Sequence, residues 1–140
     1  MSSAPESPIP AAQAMARVRA ARLALLDLHK TLIDIERARY EHSRGRIESP
    51  HHALQLLLND PFFGWLRPLA QVIIEYDEWL ADDRARRAIG AGDLLASTGR
   101  FLSDSGESGP FASEYRRALQ DSPDVVVSHA RVVALLTIDD

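Results

Sequence analysis

Across residues 11–42, apolar side chains recur at alternating spacings of three and four: Val18, Ala21, Leu25, Leu28, Leu32 and Ile35. That is the period of one face of an α-helix, where each residue advances by about 100°. Leu26, Ile33 and Tyr40 widen the stripe. A strand, whose side chains alternate with period two, cannot carry it. One long helix with a broad apolar arc must be covered by several neighbours, so the chain is expected to build around it. Ser43-Arg44-Gly45 marks its end.

The second constraint is the segment DPFFGWLRPLAQVIIEYDEWL, from Asp60 to Leu80. It holds both tryptophans, two of the four phenylalanines and one of the three tyrosines, so it anchors the core. Asp-Pro is a helix-start pair, with Asp60 as cap and Pro61 in the first helical position. On a helical wheel Phe62, Trp65, Leu69, Ile73, Tyr76 and Trp79 share one face, opposite Gly64, Arg67, Gln71, Glu75, Glu78 and Asp82. This predicts a third helix over residues 61–84. Pro68 falls inside it and cannot bond the carbonyl of residue 64. Glycine at 64 eases the crowding, so a kink is expected there rather than a break. Arg67 precedes that proline, where helical geometry is disfavoured. Its backbone is expected to be distorted and its guanidinium to pair with Asp60. Asp60, Gly64, Trp65, Arg67 and Pro68 therefore form one candidate kink or interaction site.

Shorter elements fill the rest. Ser49-Pro50 starts a short helix through Leu58, and Asn59-Asp60 ends it. A further helix is expected over 93–102, then an internal loop, SerAspSerGlyGluSerGlyPro, at 103–110. Residues 111–120 read as helical. Ser122-Pro123-Asp124 is a cap-and-start signal before 125–138, where β-branched residues also allow a strand. The cap and the lack of a partner strand favour helix. Residues 1–10, with three prolines and three serines, read as a flexible tail before a single domain over 11–140.

Composition removes several function classes. There is no cysteine, hence no disulfide, thiolate catalysis or thiolate metal site. No apolar run reaches membrane-spanning length, and the N-terminus lacks a basic region and an apolar core of secretory type. A cytoplasmic location is the expectation. The net charge of −4 is unevenly placed. Residues 11–46 carry eight basic and four acidic side chains, whereas those from 47 onward carry eight basic and fifteen acidic. A basic helix on an acidic body suits internal complementarity or self-association. The acidic total and the absence of a groove-reading motif argue against nucleic acid.

Few constellations can carry chemistry. Arg22, His29 and Glu36 are seven residues apart and form one row inside the apolar arc of the first helix. Polar groups there must find partners or stay solvated. Spacing of two turns, about 10 Å, is too wide for one metal ion, so a buried network or a polar seam is expected. Asp77 sits at the edge of the third helix's apolar face, with Arg22, Lys30 or Arg39 as natural cations. His51 and His52 read as surface residues and His129 as a core-edge histidine. No phosphate-binding loop, nucleophile elbow, zinc-protease or EF-hand motif occurs, and no cofactor is implied.

The motif Asp-Pro-x-Phe-x-Trp-Leu-Arg-Pro-Leu at 60–69, followed by an Ile-rich stretch and an acidic pair, resembles small uncharacterised bacterial helical proteins. The resemblance spans the middle fifth of the chain and, more loosely, the first helix and SPDVVVSHA at 122–130. It implies a bacterial origin and a helical fold, and it transfers no catalytic residue.

These readings define an all-α, antiparallel bundle of four to six helices with a long first helix. The expected function is a non-enzymatic interaction or self-assembling protein, acting as a homodimer or with a protein partner. The alternative is a metal- or small-ligand-binding bundle, possibly an enzyme, centred on His29, Glu36 and Asp77.

Overall fold

A computed structural model describes residues 11–103 and 109–137; the N-terminal tail, most of the 103–110 loop and the last three residues lie outside them. Helix α1 spans Ala11–Arg44, about 50 Å at 1.5 Å per residue. Its buried residues are Val18, Ala21, Leu25, Leu28 and Leu32, the expected stripe, followed four residues later by the carboxylate of Glu36. Gly45 closes the helix with a φ of 109°, a conformation that costs a side-chain-bearing residue far more.

Helix α2 (Pro50–Asn59) begins at Ser49, whose hydroxyl accepts from the His52 backbone N–H at 3.0 Å. Asp60 then caps a 3-10 segment, Pro61–Leu66, by accepting from Phe62 N–H at 2.8 Å. Helix α3 covers Arg67–Ala81, α4 Asp83–Ala88, α5 Ala91–Leu102, α6 Pro110–Asp121 and α7 Pro123–Ala134. Among the described residues there are seven α-helices and no strand. The β-branched run after Ser122 is helical, because the Ser122 hydroxyl caps it and α1 buries Val125 and Val132.

The expected third helix is three elements rather than one kinked rod. Residues 61–66 wind as a 3-10 turn in which Arg67 N–H bonds the Gly64 carbonyl. Pro68 then falls in the first turn of α3, where a missing N–H has no helical partner to lose. The proline marks a helix start, so the predicted kink is replaced by a change of helix type. The Arg67 backbone is ordinary αR (φ −59°, ψ −39°), not distorted. At the other end Asp82 is extended, terminates α3 and caps α4 through Arg84 N–H.

Helix α1 is the spine, packed against α3, α5, α7 and the 3-10 segment. Side-chain bonds fix the directions: Arg22 meets Asp77 and Glu36 meets Trp65, so α3 runs antiparallel to α1. Asp27 bonds Ser128 and Arg17 reaches the Thr137 carbonyl, so α7 is antiparallel as well. Burial of five aliphatic side chains along α1 contributes on the order of 10 kcal/mol before chain entropy is set against it. An aromatic chain crosses the core at one end: Trp65 on Phe111 at 5.7 Å, Phe111 on Phe101 at 4.4 Å and on Tyr115 at 5.2 Å. Tyr76, fully buried, keeps its hydroxyl satisfied on Thr98 at 2.7 Å. No helix of the described residues is long and apolar enough to cross a membrane.

Candidate functional site

Glu36 is 1% exposed, the one carboxylate buried among the described residues. It sits where α1, the 3-10 segment and α6 converge. Trp65 Nε1–H donates to Oε1 at 3.1 Å, and Arg39 Nη1 donates to the same oxygen at 2.7 Å. Arg117, from α6, donates through Nη2 to Oε2 at 3.0 Å. Both oxygens are thus engaged, twice by charge-assisted bonds. Burial of a carboxylate is tolerated here because three donors replace its water.

The second layer holds those donors in place. Arg117 Nε donates to Glu114 at 2.9 Å, one turn back on α6. Its Nη1 makes no hydrogen bond among the described residues, and Asp121 Oδ2 at 3.6 Å supplies charge alone. Burial works against the Arg117 cation, but Glu114 and Glu36 outweigh it and raise its pKa. Phe62 has Arg39 and Arg44 within 5.2 and 5.3 Å of its ring centre, in cation–π range.

Over this network lies a cleft of about 560 Å³, with Glu36, Arg39 and Glu114 as charged lining and Phe62, Trp65 and Phe111 as aromatic walls. Gly64, Arg67 and Pro68 complete one side. Arg67 donates to the Leu58 carbonyl at 2.9 Å instead of pairing with Asp60, which is occupied as a cap. No ion-pair partner of Arg67 exists among the described residues. Gly64 gives that guanidinium room: a Cβ at 64 would stand 3.1 Å from Arg67 Nη1.

The two sequence-derived groups are therefore redistributed. Glu36 joins Gly64, Trp65, Arg67 and Pro68 in one cleft. Arg22 instead forms an exposed ion pair with Asp77, on the stretch where α3 crosses α1. His29 is half-buried, makes no hydrogen bond among the described residues, and burial lowers its pKa. His29, Glu36 and Asp77 do not converge, and no three His, Asp or Glu side chains among the described residues form a metal-holding group. The reason is geometric: one row on α1 faces α3 at Arg22 and the 3-10 segment with α6 at Glu36.

Sequence reading missed Arg117, Glu114 and the donor role of Trp65. The only advance signal was local, Glu114 and Arg117 one turn apart beside the core positions Phe111 and Tyr115. His129 stands at the core edge as expected, its Nδ1 2.7 Å from the Tyr115 hydroxyl, and burial lowers its pKa while raising that of Tyr115. His51 is exposed, whereas His52 is half-buried, its Nδ1 accepting from Glu48 N–H at 3.2 Å. No protein-family model, curated protein or solved structure matches this chain.

Proposed function

We propose that this chain is a non-enzymatic binding protein whose recognition site is the cleft around Glu36. The observation that carries the reading is the saturation of the Glu36 carboxylate by Trp65, Arg39 and Arg117. A carboxylate serving as base or nucleophile needs an oxygen open to the reacting atom. Here both oxygens hold a wall in shape, which is what a preformed binding surface requires. A volume of about 560 Å³ suits a small organic ligand, whose sites run to roughly 300–1,000 Å³. A cytoplasmic setting is part of this reading.

The test is a fragment screen followed by amide and indole N–H shifts in two-dimensional NMR. Fragments of varied charge are expected to move the Trp65 indole resonance and the amides of residues 61–68. Hits scattered over the surface, with the Trp65 indole unmoved, would sink the reading.

Self-association as a homodimer is the second reading. The broad apolar arc of α1 does not supply its surface, because α3, α5 and α7 bury that arc. What favours it instead is α2, where Leu54 and Leu58 lie one turn apart at 52% and 62% exposure. Light scattering that returns a monomer at high micromolar concentration would remove it.

A further inference from the structure

The geometry points to a small organic anion with a flat apolar body as the ligand of this cleft, held by the guanidiniums of Arg67 and Arg39. This rests on the cleft being the binding site and adds the chemical class. The argument begins with charge. Glu36 and Glu114 line the cleft, and at first sight they should repel an anion. Glu36 is spent on Trp65, Arg39 and Arg117, with both oxygens engaged, whereas Glu114, its side chain 41% exposed, gives one oxygen to Arg117 Nε. Glu36 offers no unshared oxygen to a ligand, and the Glu114 charge is shared with the Arg117 guanidinium.

The cations are less committed. Arg39 uses one nitrogen on Glu36 and leaves its side chain 44% exposed. Arg67 is exposed, lines the cleft and, among the described residues, bonds only a neutral carbonyl, that of Leu58. That one bond fixes the guanidinium without neutralising it, and Gly64 beneath it supplies the space. Two forks from two helices, one tethered to a carbonyl and one to a saturated carboxylate, fit a planar carboxylate or a similar oxyanion. A cationic ligand would meet two guanidiniums, with only the second oxygen of Glu114 to offset them. A neutral one would leave Arg67 with its charge unmatched as the cleft is desolvated.

The walls select the body. Phe62 presents a half-exposed ring already flanked by arginines, Trp65 contributes an edge held by its Nε1 bond, and Pro68 lies beside them. A flat aromatic body can meet these rings offset-stacked or edge-to-face, the arrangements aromatic pairs prefer.

The test uses the full chain and three probes matched in shape: 2-naphthylacetate, 2-naphthylacetamide and 2-naphthylethylammonium. Binding is read from the Trp65 indole N–H shift in wild type and in Arg67→Gln, with circular dichroism to establish that the variant folds. The carboxylate is expected to bind about tenfold more tightly than the amide, the scale of one charge-assisted bond. Arg67→Gln should erase that preference by weakening the carboxylate. Gly64→Ala, which crowds the guanidinium but keeps its charge, should weaken the carboxylate alone. Equal or tighter binding of amide or ammonium overturns the anion assignment and leaves the cleft as a binding site. So does failure of all three probes at about 10 mM when the fragment screen still maps to residues 61–68. Carboxylate binding that Arg67→Gln does not alter also overturns it.

Discussion

Removing the Glu36 carboxylate is the perturbation whose cost can be worked through group by group. In Glu36→Ala three donors lose their acceptor. Trp65, only 8% exposed, is left with an unsatisfied indole N–H, worth about 1–3 kcal/mol. Arg117, with a side chain 27% exposed, loses one of its carboxylates but keeps Glu114. Arg39 is exposed enough to rehydrate, so its lost pair is discounted heavily. Breaking a fully buried ion pair costs about 3–5 kcal/mol; solvation of Arg39 and retention of Glu114 place this one near the lower end, about 3 kcal/mol. For a chain of this size that corresponds to a fall in Tm of about 10 °C. Glu36→Gln keeps the volume and one acceptor for Trp65 but turns an amide toward Arg117, so about 1–2 kcal/mol is expected. Urea unfolding followed by Trp fluorescence gives both values, and the double variant with Arg117→Met should show coupling of at least about 1 kcal/mol. An alanine variant within about 0.5 kcal/mol of wild type would refute the claim that these donors depend on Glu36.

Three further outcomes are expected. Burial lowers the pKa of His29 and His129, so the unfolded chain binds protons more readily than the folded one. Their contribution to stability is complete above the ordinary histidine pKa of about 6.5 and is lost as pH falls through the lowered native values. Melting scans below pH 6.5 should therefore show a decline that His29→Gln with His129→Gln flattens; an unchanged slope would contradict it. Asp60→Ala removes the cap on Phe62 N–H and should cost about 1 kcal/mol in denaturant unfolding, since the 3-10 segment also walls the cleft. Tyr76→Phe removes the partner of a buried Thr98 hydroxyl that still bonds the Leu94 carbonyl, so a loss of about 1 kcal/mol is expected, and a loss above about 3 would show a larger network.

Much of the fold was legible because it is written in short-range chemistry. The period along α1 names its buried face residue by residue, from Val18 to Leu32. Ser49, Asp60 and Ser122 each cap the element that follows, as their Pro-adjacent positions indicate. Periodicity failed at Pro68 and Asp82. A wheel reads which residues share a face, but it is blind to whether the backbone bonds at three or four residues and to a single extended residue. Hence one expected helix is a 3-10 turn followed by two α-helices.

The sequence by itself determined that α1 carries a polar row inside an apolar arc and that Glu36 would need partners. It could not name them, because Trp65 is 29 residues away and Arg117 81 residues away. Identical spacing gave Arg22, His29 and Glu36 one helical face, yet they meet three different surroundings. What a face touches changes along a helix of about 50 Å as other elements cross it. Only the packing of α3, the 3-10 segment and α6 against that spine turned one carboxylate of the row into a buried anchor. The same packing left Arg67 beside it, bonded to the Leu58 carbonyl and with no ion-pair partner among the described residues.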